Sequence, residues 1–138
     1  MFRWLFNLLA VIACLAGALA SALAYGEHYN TQPSPCQLNA VWDCGIVNHS
    51  PYAVLLGVPI ALIGVVGYGL LIALIGRMPW LAFAGALAGF VFSLRYTFIE
   101  WRVLHLWCLY CVTSEVLIAM VALLTLLAAL APRPPGLA

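Results

Sequence analysis

The chain contains no lysine, and charge of either sign is scarce. Five arginines and four acids among 138 residues make 7% of the chain charged, against roughly 25% in soluble domains. A water-exposed surface cannot be built from so few charges, so lipid is expected to cover most of the exterior. The basic residues Arg3, Arg77, Arg95, Arg102 and Arg133 form no cationic stripe, and the formal net charge is only +1. That excludes a nucleic-acid partner, which would need a basic patch. Motifs for haem or flavin are missing, and the polar residues are too few to surround a nucleotide. What the chain has in excess is apolar sequence, 67% of its residues.

That sequence is gathered into four stretches, about 4–24, 53–75, 79–98 and 103–131, each near the roughly 20 residues that cross a bilayer as a helix. Lipid leaves no other partner for the backbone than the helix itself or a closed barrel, and these runs do not alternate as barrel strands do. The expected architecture is all-α: a single membrane domain over 1–138, an integral four-helix bundle. Gly76, Arg77 and Met78 leave room only for a tight hairpin between the second and third spans. Gly85 and Gly89 make a small-xxx-small pair for close packing, and Gly64, Gly67 and Gly69 stud the span before it; such glycines are also common background in membrane helices. Arg3, Arg77 and Arg133 fall at one set of ends, which the positive-inside rule assigns to the cytoplasm together with both termini. All four acids, Glu27, Asp43, Glu100 and Glu115, fall towards the other face, with Arg95 and Arg102. The tryptophans (Trp4 and Trp80 inside, Trp42, Trp101 and Trp107 outside) suit two interfacial belts. A cleaved secretory signal is the competing reading of the N-terminus, from Arg3, the apolar run and Ala22-Leu23-Ala24. The run is longer than the usual signal core of about 7–15 residues, which favours a retained helix.

One sizeable polar segment, 25–52, lies between the first two spans. It is rich in turn formers, among them Pro33, Pro35, Asn39, Gly45, Asn48 and Pro51, and forms an extracytoplasmic loop. A short helix between Cys36 and Cys44 would set Leu38, Val41 and Trp42 on the membrane surface or over the bundle. Four of the five cysteines converge on this side: Cys36 and Cys44 in the loop, and Cys108 and Cys111 as a C-x-x-C at the outer start of the fourth helix. If the orientation holds, that is the oxidising side. Structural disulfides are the plain reading of such cysteines. A C-x-x-C closes too short a loop to stabilise much, and its spacing is that of a reversible dithiol. Residues three apart share a helical face. Near the first turn, unpaired N–H groups favour a thiolate at Cys108, which can attack a neighbouring disulfide. Asp43 beside Cys44 works in the opposite sense there. A four-thiolate zinc site would pair two short knuckles; here the first pair is eight positions apart and the second is sunk in an apolar helix, so no metal site is expected.

Electrons leaving a membrane dithiol need an acceptor, and a lipid-soluble one reaching the C-x-x-C from the bilayer is the simplest. Glu115 lies one turn below Cys111 on about the same face. An acid in a membrane helix is a functional candidate by default, and Glu115 would deliver protons to a reduced quinone. Its plainer role is a hydrogen bond to a neighbour or a pair with Arg95. His28, His49 and His105 cluster near the outer boundary; His49 and His105 have the position to move protons, although interfacial polar residues are the commoner case. Cys14, alone within the first span, reads as a small buried hydrophobe.

Taken together, Cys36, Cys44, Ser50-Pro51-Tyr52, Gly57-Val58-Pro59 and Cys108-Leu109-Tyr110-Cys111 resemble the vitamin K epoxide reductase family in its bacterial form, over nearly the whole chain. The resemblance implies a four-helix bundle with a quinone pocket beside the C-x-x-C. It implies a thiol oxidoreductase that reoxidises a thioredoxin-like thiol oxidase in the extracytoplasmic space, supporting disulfide formation in exported proteins. Ubiquinone or menaquinone would be the acceptor. Carried onto this chain, Cys36 meets the partner's thiol, Cys44 exchanges with Cys108, and Cys111 faces the quinone. Ser50 shapes the region between loop and pocket. Many bacterial relatives carry a fused thioredoxin-like domain, whereas this chain ends at Ala138, so the partner is expected to be separate. Animal members have a tyrosine four positions after the last cysteine, where Glu115 stands here, and an asparagine in the second helix, which 53–75 lacks. Plain quinone reduction is therefore the expectation, rather than epoxide reduction or coumarin binding. Two rivals fit less well. The disulfide-bond formation protein B family keeps its C-x-x-C in the first outer loop. A soft-metal carrier such as the mercury-transport membrane proteins would need thiols passing ions through the membrane, yet here the deep cysteine is single.

Overall fold

The computed structural model describes residues 2–29, 42, 49, 51 and 54–131. Its elements run α1 (Phe2–Tyr29), β1 (Val54–Leu55), β2 (Val58–Pro59), α2 (Ile60–Leu74), α3 (Pro79–Ile99), a π-helical turn (Glu100–Leu104) and α4 (Leu109–Leu130). Three segments are long and apolar enough to cross a membrane: Phe2–Glu27, Pro79–Leu104 and Leu109–Leu130.

The second span differs from expectation. In place of one helix over 53–75, β1 and β2 form an antiparallel hairpin, Val54 opposite Pro59 and Leu55 opposite Val58. Leu56 and Gly57 at its tip both have positive φ, 53° and 83°, as a two-residue type I′ turn demands. Pro59 then stands at the N-cap of α2. The physical reason is local: the turn at Gly57 and the proline two residues on break the helical hydrogen-bond run, which apolarity alone does not reveal. Helix α2 keeps 15 residues, about 22 Å at the helical rise, short of the roughly 30 Å hydrocarbon core. Gly76, at φ 86°, ends the segment in the left-handed conformation common after a helix. Pro79 opens α3 in the first turn, where its missing N–H costs nothing. The expected tight connection between the second and third helices is present.

Packing follows membrane rules rather than those of a soluble core. In α1 the inward stripe is small: Ala10, Ala13, Cys14, Ala20 and Ala24 are buried, while Leu5, Leu8, Ile12, Leu15, Leu19 and Leu23 face outward. Small residues let backbones approach, and large apolar ones meet lipid at no cost. Helix α4 packs against both α1 and α3, and α1 also packs against α2. The buried cluster draws on every helix: Cys14 from α1, Tyr68 and Leu71 from α2, Ala82 and Ala86 from α3, and Ile118 and Val121 from α4. Tyr68 ties α2 to α4, its hydroxyl donating to the Ser114 carbonyl at 2.7 Å. A Cβ on Gly17 would lie 2.3 Å from the Tyr68 ring, so α1 carries glycine where the ring crosses it. The pair Gly85 and Gly89 divides between two neighbours, the first against Leu71 of α2 and the second against Ile118 of α4.

Candidate active site

The third and fourth helices do not meet where expected, near 98 and 103. Helix α3 runs on through the π-helical turn Glu100–Leu104 and stops at His105, whose φ of 55° is left-handed. The backbone N–H groups of His105 and Leu106 both donate to the Glu100 carbonyl. A π turn inserts an extra residue and turns side chains out of helical register; such turns recur at functional sites. Glu100, at its start, still has helical φ and ψ and is 3% exposed.

Cys108 follows as the N-cap of α4. Its backbone is extended, so only Cys111 of the pair lies within the helix, and the two are brought together by capping rather than by a shared helical face. The Cys111 N–H donates to the Cys108 sulfur at 3.3 Å, so the thiol takes the place of a capping oxygen. Cys108 is 0% exposed, and Cys111 is partly buried. The Glu100 Oε2 accepts the Cys108 N–H at 3.3 Å, which ties the carboxyl to the C-x-x-C through its backbone. Both cysteines and the carboxyl therefore form one connected group.

Glu100 and Cys111 of that group line a cavity of about 380 Å³ between the helices. Ser21 and Ala24 of α1, Gly64, Gly67 and Tyr68 of α2, Phe92 and Tyr96 of α3, and Cys111 and Ser114 of α4 are among its lining residues. The lining is mostly apolar, with a few hydroxyls and one carboxyl. Its volume lies in the range of roughly 300–1,000 Å³ usual for small-molecule sites.

Among the other residues singled out from sequence, Cys36, Cys44 and Ser50 lie outside the described residues. Glu115 is turned towards α3, where the Thr97 hydroxyl donates to its carboxyl. The plain expectation of a hydrogen-bonded neighbour holds for it. Glu115 is not among the cavity-lining residues; Thr97 and Glu100 are. Cys14 is fully buried in the apolar cluster, as expected of a small hydrophobe. His105 is exposed and its role is conformational, ending the π turn. Among the described residues no three His, Cys, Asp or Glu side chains stand together as a metal site. The residue that sequence reasoning missed is Glu100. Its signal was available: an acid at the end of an apolar run, eight positions before Cys108, meets the same criterion that singled out Glu115.

Trp42, from the segment between α1 and β1, reaches this end of the protein. It forms a parallel bridge with Trp107, the residue before Cys108, and the two indole centroids lie 6.3 Å apart.

A helical chain with membrane-spanning segments and one cysteine of a C-x-x-C on the wall of an apolar cavity fits the class of membrane thiol oxidoreductases. The family model of the vitamin K epoxide reductase family matches residues 8–126, from α1 almost to the end of α4, and the chain belongs to that family. Membership supports the general role of a membrane thiol–disulfide oxidoreductase or quinone reductase.

Proposed function

We propose that this protein is a membrane thiol:quinone oxidoreductase that passes electrons from a separate thioredoxin-like thiol oxidase to ubiquinone or menaquinone, supporting disulfide formation in exported proteins. The observation that carries the reading is the position of Cys111, joined to Cys108 and lining an apolar cavity between the helices. The cavity matches the needs of a quinone head group: flat apolar walls, a few hydroxyls, and a redox-active thiol within contact. In this reading Cys111, Tyr68, Ser114 and Glu100 border the head group, and Gly67, with nothing within 4 Å of a Cβ built on it, leaves room for it.

The relay runs as thiol–disulfide exchange. The partner's thiolate attacks the Cys36–Cys44 disulfide at Cys36, and a second attack releases the oxidised partner. Cys44 then reduces the Cys108–Cys111 disulfide through Cys108. Two electrons and two protons pass from the Cys108–Cys111 dithiol to the quinone, giving quinol and the re-formed disulfide. Support for the loop's part comes from the Trp42–Trp107 bridge. Cys44 follows Trp42 by two residues, a reach of at most about 7 Å of chain, and Cys108 follows Trp107 directly. In the proposed topology the four helices form a bundle with both termini in the cytoplasm, and loop 25–52 faces the extracytoplasmic space. By the family resemblance, Ser50 would help shape the region between the loop and the pocket.

The test is quinone absorbance in detergent-solubilised protein mixed with dithiothreitol. Wild type should bleach the quinone band and Cys111→Ala should not. No bleaching by wild type with either ubiquinone or menaquinone analogues would overturn the reading.

A further inference from the structure

Quinone reduction by a dithiol moves two protons as well as two electrons, and the thiol–quinone route above names no group that carries the protons. We propose that Glu100 is the catalytic proton carrier, taking the proton of each cysteine in turn and delivering it to a quinone oxygen. This rests on the quinone-reductase reading above.

Four observations converge on Glu100. It is the one acid among the described residues lining the cavity, so a proton on its carboxyl has direct access to a bound head group. It lines the same cavity as Cys111, so the carboxyl and that thiol face the same bound head group. Its Oε2 also accepts the Cys108 N–H at 3.3 Å, which holds the carboxyl beside both cysteines. Finally, Glu100 is 3% exposed and continues the cavity face of α3 set by Ser93, Tyr96 and Thr97, while the next residues, Trp101, Arg102 and Val103, are exposed.

The alternatives in the same region are otherwise engaged. Glu115 accepts the Thr97 hydroxyl and does not line the cavity, the Tyr68 hydroxyl donates to the Ser114 carbonyl, and His105 is exposed.

The step balances without any further reagent. The Glu100 carboxylate takes the Cys111 proton, the thiolate sulfur passes its electron pair to the quinone ring, and the protonated carboxyl releases that proton to the first quinone oxygen. The carboxylate, regenerated, takes the Cys108 proton as the Cys108–Cys111 bond forms, and releases it to the second oxygen. Two S–H bonds break, one S–S and two O–H bonds form, and Glu100 ends as it began. A carboxyl that donates and accepts in one cycle is ordinary general acid–base chemistry, with contributions of about 10²–10⁴-fold.

Glu100→Gln tests this because its amide oxygen still accepts the Cys108 N–H while the side chain can no longer carry a proton. Dithiothreitol-reduced Glu100→Gln should reduce quinone in a single turnover about 100-fold more slowly than wild type. Glu115→Gln should stay within a few-fold. A second readout needs no quinone: the infrared difference between the reduced and the chemically oxidised cysteine pair. Wild type should show a carboxyl C=O band that changes with cysteine redox state. That band should vanish in Glu100→Gln and persist in Glu115→Gln. Should Glu100→Gln not survive purification, Glu100→Asp takes its place, and a slowed turnover with a shifted band is then expected. A wild-type turnover rate in Glu100→Gln, or a redox-sensitive band untouched by every change at Glu100, overturns the proposal. Failure of wild type to reduce any quinone would instead remove the functional reading, and the infrared arm would still decide whether Glu100 exchanges protons with the dithiol.

Discussion

The middle of α1 and the start of α4 each bury one cysteine completely, and they could hardly differ more in what surrounds it. Cys14 and Cys108 are both 0% exposed. Around Cys14 are Ala10, Ala13, Tyr68 and other members of the apolar cluster, within an uninterrupted helix. Around Cys108 the helices stop: a π turn, a left-handed residue and an extended N-cap meet there, and its thiol receives the Cys111 N–H beside the Glu100 carboxyl. Burial by itself therefore says little about reactivity. What separates an inert thiol from a redox one is the supply of hydrogen-bonding groups and a second sulfur, and those occur where regular backbone ends.

The contrast can be broken most sharply by exchanging the cysteines for alanine one at a time. Cys108→Ala and Cys111→Ala should each abolish quinone reduction, whereas Cys14→Ala should keep it within about twofold, its effect confined to packing; stopped-flow quinone absorbance measures all three. Next in size is Cys36→Ala, expected to stop turnover by the thioredoxin-like partner while sparing turnover by dithiothreitol. Partner turnover that survives this change would reverse the proposed relay order. Gly67→Leu addresses the cavity between the two regions. With space beside that residue, the fold should tolerate the side chain, but it should raise the apparent KM for quinone several-fold and leave alkylation of Cys111 unchanged. The smallest effect is expected on the packed side. Gly17→Ala sets a methyl group 2.3 Å from the Tyr68 ring, an overpacking that costs about 1–3 kcal/mol and should lower the melting temperature in detergent. A melting temperature equal to wild type would mean that α1 and α2 yield more easily than the contact implies.

How far the sequence could be read depended on whether a feature was local. The apolar runs, Gly76 and Pro79 are local, and the helices and the short connection between α2 and α3 follow from them. The hairpin at 54–59 was missed because Val54, Leu55 and Val58 are as apolar as the helix behind them, and only the backbone at Leu56 and Gly57 distinguishes them. Of the two acids near the C-x-x-C, helical spacing selected Glu115. Glu100 also keeps helical spacing, with Ser93, Tyr96 and Thr97, but it stands on the preceding helix, and spacing within one helix does not show which neighbour it meets. The inward stripe of α1 was equally hidden, since alanine and leucine both read as apolar and the choice between lipid and neighbour is made by size.

The sequence by itself determined the solvent, the scarcity of charge leaving no other surface than lipid, and it pointed to the chemistry, because the spacing of a C-x-x-C is that of a reversible dithiol. It also carried the family resemblance, through short motifs whose order survives without any structure. Tertiary structure alone decided which acid meets the C-x-x-C, since Glu100 at the end of one helix and the Cys108 N–H at the start of the next are brought together only by the path of the chain between them. It alone opened a cavity beside Cys111, because an empty volume belongs to several helices at once and is written in none of them.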